Sequence, residues 1–141
     1  MKKIIFLIVL SIGLTSNSQE IKLDTSKSIY TSTGGWHDIV EYDNGEIIFF
    51  FKEMEYNHDY QSMRFLNKDK FNLFLEYLIK VDETKDNVAI TNINEYYPQT
   101  GGILYVMKSG NATTVIIENI IEYRTLIRKG LASKIYKKIN E

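Results

Sequence analysis

Apolar residues run almost unbroken from Ile4 to Leu14, behind a cationic Lys2-Lys3 pair and ahead of a polar stop at Thr15, Ser16, Asn17 and Ser18. That is the layout of a secretory leader, and the run is shorter than the roughly 20 apolar residues a membrane-spanning helix needs. Ser16 and Ser18 are the small residues a leader-cleaving enzyme reads. Residues 1–18 are therefore expected to be a signal peptide and 19–141 a single globular domain.

After a polar lead-in from Gln19 to Ser32 the pattern changes. Ile39 to Tyr42 and Glu46 to Tyr56 flank Asp43, Asn44 and Gly45. An Asn-Gly pair between apolar runs is the strongest short hairpin signal, because both residues tolerate positive φ. Ile47 to Phe51 is apolar at every position, which predicts a strand covered on both faces. Beyond it Lys52, Met54 and Tyr56 alternate with Glu53 and Glu55, predicting a half-exposed outer end. Asn57, His58 and Asp59 then read as a turn that returns the chain through Tyr60 to Leu66.

Asn67 reads as a helix N-cap, with Leu66 before it and Phe71 after it placed to form a hydrophobic staple. Phe71, Phe74, Leu75, Leu78 and Ile79 recur on one helical face, opposite Asn72, Glu76 and Lys80. Val88 to Ile93 returns to strand-like alternation. Tyr96, Tyr97, Pro98 and the Gly101-Gly102 pair mark a loop, and Ile103 to Lys108 with Thr113 to Glu118 predict a second hairpin around Ser109, Gly110 and Asn111. Leu131, Ile135 and Ile139 give a short amphipathic helix at the end. For residues 121–130, a helical extension weakened by Gly130 and a separate strand or turn are both compatible with the pattern.

Strands, helix, strands, helix, joined mostly by hairpins, predict an α+β fold. The expected arrangement is a single antiparallel sheet of about five to seven strands with two helices packed on one face. The order repeats in the two halves, but no residue-level repeat accompanies it.

Composition narrows the chemistry. The chain has no cysteine, which excludes disulfides, thiolate metal sites, thiol nucleophiles and a lipid anchor through cysteine. The formal net charge of −1 argues against nucleic acid as a partner. Positive charge gathers at the end, where Arg124, Arg128, Lys129, Lys134, Lys137 and Lys138 face only Glu122 and Glu141. No nucleophile elbow, phosphate-binding glycine loop or calcium-loop ladder is present. Catalytic, cofactor-binding and metal residues are accordingly assigned to none.

Two constellations stand out from this background. His37 and His58 are the only histidines, each followed by an aspartate, and with nearby carboxylates they would suit a small exported hydrolase or metal-binding protein. Neighbouring residues on a strand point to opposite faces, which works against His37 and Asp38 sharing a metal. The second is aromatic: Trp36 beside a diglycine, and Tyr96 with Tyr97 before Pro98, stand next to loops where an amphipathic ring can meet a partner. Trp36, Tyr96 and Tyr97 are the candidate recognition residues. The expected function is an exported, non-enzymatic binding protein of the bacterial envelope, of inhibitor, immunity or accessory type. Its partner is expected to be an envelope or secreted protein or a glycan, with the protein periplasmic or extracellular and without a membrane span after cleavage.

Overall fold

A computed structural model describes residues 25–54, 59–93, 103–118 and 122–141. The leader, His58, Tyr96 and Tyr97 lie outside the described residues. Strands β1 (Ser26–Thr31), β2 (His37–Tyr42), β3 (Ile47–Lys52) and β4 (Tyr60–Phe65) precede helix α1 (Lys68–Glu83). Strands β5 (Val88–Asn92), β6 (Ile103–Ser109), β7 (Ala112–Glu118) and β8 (Glu122–Arg128) precede helix α2 (Leu131–Asn140).

Among the described residues the α+β class and the two helices agree with the sequence pattern; the single sheet does not. The strands form two antiparallel four-stranded sheets, ordered β1-β2-β3-β4 and β5-β6-β7-β8. Each is a meander in which every strand pairs with its neighbour in sequence, and each ends in a helix. The division falls at α1, because the helix carries the chain away from β4 before β5 begins. Hairpin signals identify strands that follow one another, but nothing local decides whether strands on either side of a helix will pair.

The turn chemistry explains the first meander. Tyr42 N–H donates to the Glu46 carbonyl at 2.9 Å across a three-residue loop, with Gly45 at a φ of 84°. Asn44 Oδ1 accepts the Glu46 N–H at 2.9 Å, which fixes the loop from inside. Ile47, Phe49 and Phe51 then face the core, while Phe50 on the other face is only half-buried. The apolar run is thus fully covered on one side and, with Ile48 buried beside Phe50, largely covered on the other. Its outer end alternates as expected, with Glu53 buried and Met54 exposed.

Asn67 caps α1 as expected, its Oδ1 accepting the Lys70 N–H at 3.0 Å. Phe71, Phe74, Leu75, Leu78 and Val81 are buried along one face, whereas Leu66, the expected staple residue, stays exposed. The Phe65 ring lies 4.8 Å from that of Phe71 and 5.2 Å from that of Phe74, within the range of favourable tilted aromatic pairs. The same core continues through Leu104, Val106, Val115 and Ile127 of the second sheet to Ala132, Ile135 and Ile139 of α2. One hydrophobic core therefore serves both sheets, each fully buried Val, Leu, Ile or Phe side chain contributing about 1.5–3 kcal/mol.

A polar junction fixes where α2 starts. Lys108, in β6, is buried, and its ammonium donates to the Val81 carbonyl at 2.8 Å, the Asp82 carbonyl at 3.0 Å, and the Thr84 carbonyl. A cation thus adds a donor at the carbonyl end of the helix, where Val81 also accepts the Thr84 N–H and hydroxyl, and meets the negative end of its dipole. The Asp82 carboxylate, also buried, accepts the Thr113 hydroxyl at 3.2 Å and the Gly130 N–H at 2.9 Å. Gly130 is the N-cap of α2 and adopts a φ of 80°. The end of α1, strands β6 and β7, and the start of α2 are therefore held at one point.

Candidate functional site

The first four-stranded unit meets the second where the start of β2 and the end of β3 reach β8. β8 is the edge strand of the second sheet, and an edge strand presents unpaired backbone groups that must be covered or solvated. Met54 N–H donates to the Arg124 carbonyl at 3.2 Å. The His37 ring adds a backbone hydrogen bond at Leu126 and places Nε2 3.1 Å from Thr125 Oγ1. The tip of one sheet thus covers part of the other's edge.

His37 is mostly buried in this contact, with the Phe49 ring centroid 5.5 Å away. Burial disfavours the imidazolium and holds its pKa below the ordinary histidine value; the Leu126 backbone hydrogen bond pulls less strongly in the opposite direction. A neutral imidazole joining two strands is a structural role. Asp38, next in sequence, accepts hydrogen bonds from Ser28 at 3.1 Å and Thr31 at 2.8 Å, so it serves β1 rather than the imidazole. Among the described residues no group of three or more histidines, aspartates and glutamates is placed to hold a metal ion.

Trp36 lies immediately before this seam, on the connection from β1 to β2. Gly34 and Gly35 take φ values of 81° and 67°, and two successive left-handed residues turn the chain sharply. Ser32 closes the turn, accepting the His37 N–H on its hydroxyl at 2.8 Å and the Gly35 N–H on its carbonyl at 3.0 Å. Lys52 N–H donates to the Trp36 carbonyl at 2.9 Å, and the Tyr60 hydroxyl donates to the Gly35 carbonyl at 2.9 Å. The backbone that carries the indole is therefore tied to both β3 and β4.

The indole itself remains 42 % exposed, beside Met54 at 42 % and Tyr60 at 57 %. Lys52 Nζ sits 5.7 Å from the Trp36 ring centroid and 5.5 Å from that of Tyr60, so one cation spans two aromatic faces. Trp36, Ser32, Thr33 and Met54 form one wall of a cleft of about 440 Å³. Thr125, Leu126 and Arg128 from β8, with Leu131 from α2, form the other wall, and His37 lies at the seam between them. That volume is in the range of ordinary small-ligand sites, which span about 300–1,000 Å³.

A second, shallower hollow of about 630 Å³ continues past Leu126 and Arg128 to Asn111, Ala112 and Lys129. Among the described residues lining either hollow there is no carboxylate, and Arg128 and Lys129 are both exposed. The groove therefore begins apolar and aromatic and ends cationic.

Trp36, chosen from the diglycine beside it, thus lies in the cleft, while its companions Tyr96 and Tyr97 are outside the described residues. Sequence reasoning missed Met54, Leu126 and Arg128. Arg128 had a partial signal in the basic end of the chain, but the other two reach the groove through contacts between the two sheets. Comparison with protein-family models, with curated proteins and with solved structures gives no match to this chain.

Proposed function

We propose that this is an exported, non-enzymatic binding protein of the bacterial envelope, and that the groove beginning at Trp36 is its recognition surface. The leader pattern of residues 1–18 supports export. One observation carries the binding assignment: an indole is left substantially exposed at the mouth of a cleft while its backbone is held by Lys52, Tyr60 and the Ser32 turn. Such pre-organisation lowers the ordering cost of recognition, and exposed Trp, Tyr, Met and Arg are the residue types enriched at protein interfaces. His37 contributes by fixing the groove's two walls to each other, a role that calls for no reaction at the imidazole.

The test is affinity capture from envelope extracts with the purified protein and its Trp36→Ala variant in parallel. The reading expects a partner retained by the first and lost from the second, with both proteins equally folded. Identical background on both would overturn it.

A further inference from the structure

The lining of the groove says more about its occupant than that it binds. Its two hollows share Leu126 and Arg128 and so adjoin along β8. The first part offers Trp36, Met54, Leu126 and Leu131, a set of apolar surfaces wide enough for one large side chain. The second offers Arg128 and Lys129. Among the described residues neither cation forms a side-chain ion pair or hydrogen bond, whereas Lys108 meets helix-end carbonyls and Lys138 lies beside Glu141.

Building on the binding role proposed above, we infer that the groove receives an extended acidic segment of a protein partner. A large apolar side chain of that segment occupies the space between Trp36 and Leu131, and carboxylates beside it meet Arg128 and Lys129. Charge complementarity supports this occupant, because among the described residues an acidic segment meets two cations and no lining carboxylate. The adjacency of the two hollows along β8 favours an extended chain over a compact ligand. The guanidinium of Arg128 suits a carboxylate geometrically, since its planar fork can donate two parallel hydrogen bonds. Lys52, over the Trp36 and Tyr60 rings, adds a third positive charge near the mouth.

Trp36 is the only tryptophan in the chain, so its emission reports on the groove alone. The probes are two synthetic peptides, each with a phenylalanine followed by two acidic residues or, in the control, by the two matching amides. The acidic peptide is expected to shift Trp36 emission saturably and to bind about tenfold or more tightly than the amide peptide. Added salt should weaken it, and the Arg128→Gln/Lys129→Gln double variant should bind the two peptides alike. Both residues are exposed, so the double variant is expected to keep its melting temperature. Equal affinity for the two peptides in the unaltered protein would overturn the acidic assignment, as would no emission change with either. Capture of a Trp36-dependent partner alongside such a result would leave the binding role standing and remove only this inference.

Discussion

His37 Nε2 and Thr125 Oγ1 lie 3.1 Å apart, a contact between residues 88 positions apart in the chain. It ties the start of β2 to the edge strand of the other sheet and sets the spacing of the groove walls. Nothing in the residues around His37 indicates this partner. The contact converts a histidine that resembled a ligand candidate into a neutral fastener.

The fastener gives stability a pH dependence whose sign follows from burial. The folded pKa of His37 is below its ordinary value of 6.5. The unfolded chain therefore takes up a proton more readily, and stability from this group rises with pH between the folded and unfolded pKa values. Its contribution is fully present above about 6.5 and is lost as pH falls through the folded pKa. Melting temperatures across this window should fall with acidification, and His37→Gln should flatten that component. An unchanged slope in the variant would show that other groups govern the effect.

Lys108 supports a larger prediction. Lys108→Met keeps most of the buried stem but removes the donor shared by the Val81, Asp82 and Thr84 carbonyls. The Val81 carbonyl keeps the Thr84 N–H and hydroxyl, but leaving the buried Asp82 carbonyl without its donor costs about 1–3 kcal/mol, and a loss of about that size is expected in denaturant titration. A loss under about 0.5 kcal/mol would mean that water replaces the ammonium there.

Asp82→Ala attacks the same junction from the other side, freeing the Gly130 N–H and the Thr113 hydroxyl. It should cost about 1–3 kcal/mol. Because Lys108 and Asp82 meet at the end of α1, the combined variant should lose less than the sum of the two, and a double-mutant cycle measures that coupling. Strict additivity would show two independent contacts instead of one junction.

How far the fold could be read from the chain depended on how local each signal was. The Asn44-Gly45 loop, the Asn67 cap and the Phe71 face of α1 are legible because their interactions lie within a few residues. β1 reads as a polar lead-in because Ser26, Lys27 and Ser28 are exposed on a sheet edge and need no apolar alternation. β8 was ambiguous for a related reason: Thr125 is buried and hydrogen-bonded, so its inward face is not marked by apolar residues alone. The division into two sheets was beyond reach because it concerns pairing across α1. The site followed the same rule. Trp36 could be singled out from its own loop, whereas Leu126, Arg128 and Met54 join it only through contacts between the two sheets.

The diglycine before Trp36 offers the last prediction, because it separates the shape of the recognition loop from the indole it presents. Gly35 has a φ of 67°, and a Cβ added there would stand 3.1 Å from the Tyr60 hydroxyl. Gly35→Ala therefore meets two obstacles: a left-handed backbone that costs an alanine about 1–2 kcal/mol, and displacement of a tyrosine that holds the loop through the Gly35 carbonyl. Trp36→Ala removes a half-exposed ring and should change stability by no more than about 1 kcal/mol. The two variants should thus part company: Gly35→Ala lowers stability and shifts Trp36 emission without removing the indole, while Trp36→Ala leaves the melt nearly unchanged and abolishes capture of the partner. If Gly35→Ala melted and emitted like the unaltered protein, the loop would not be held by Tyr60 as described.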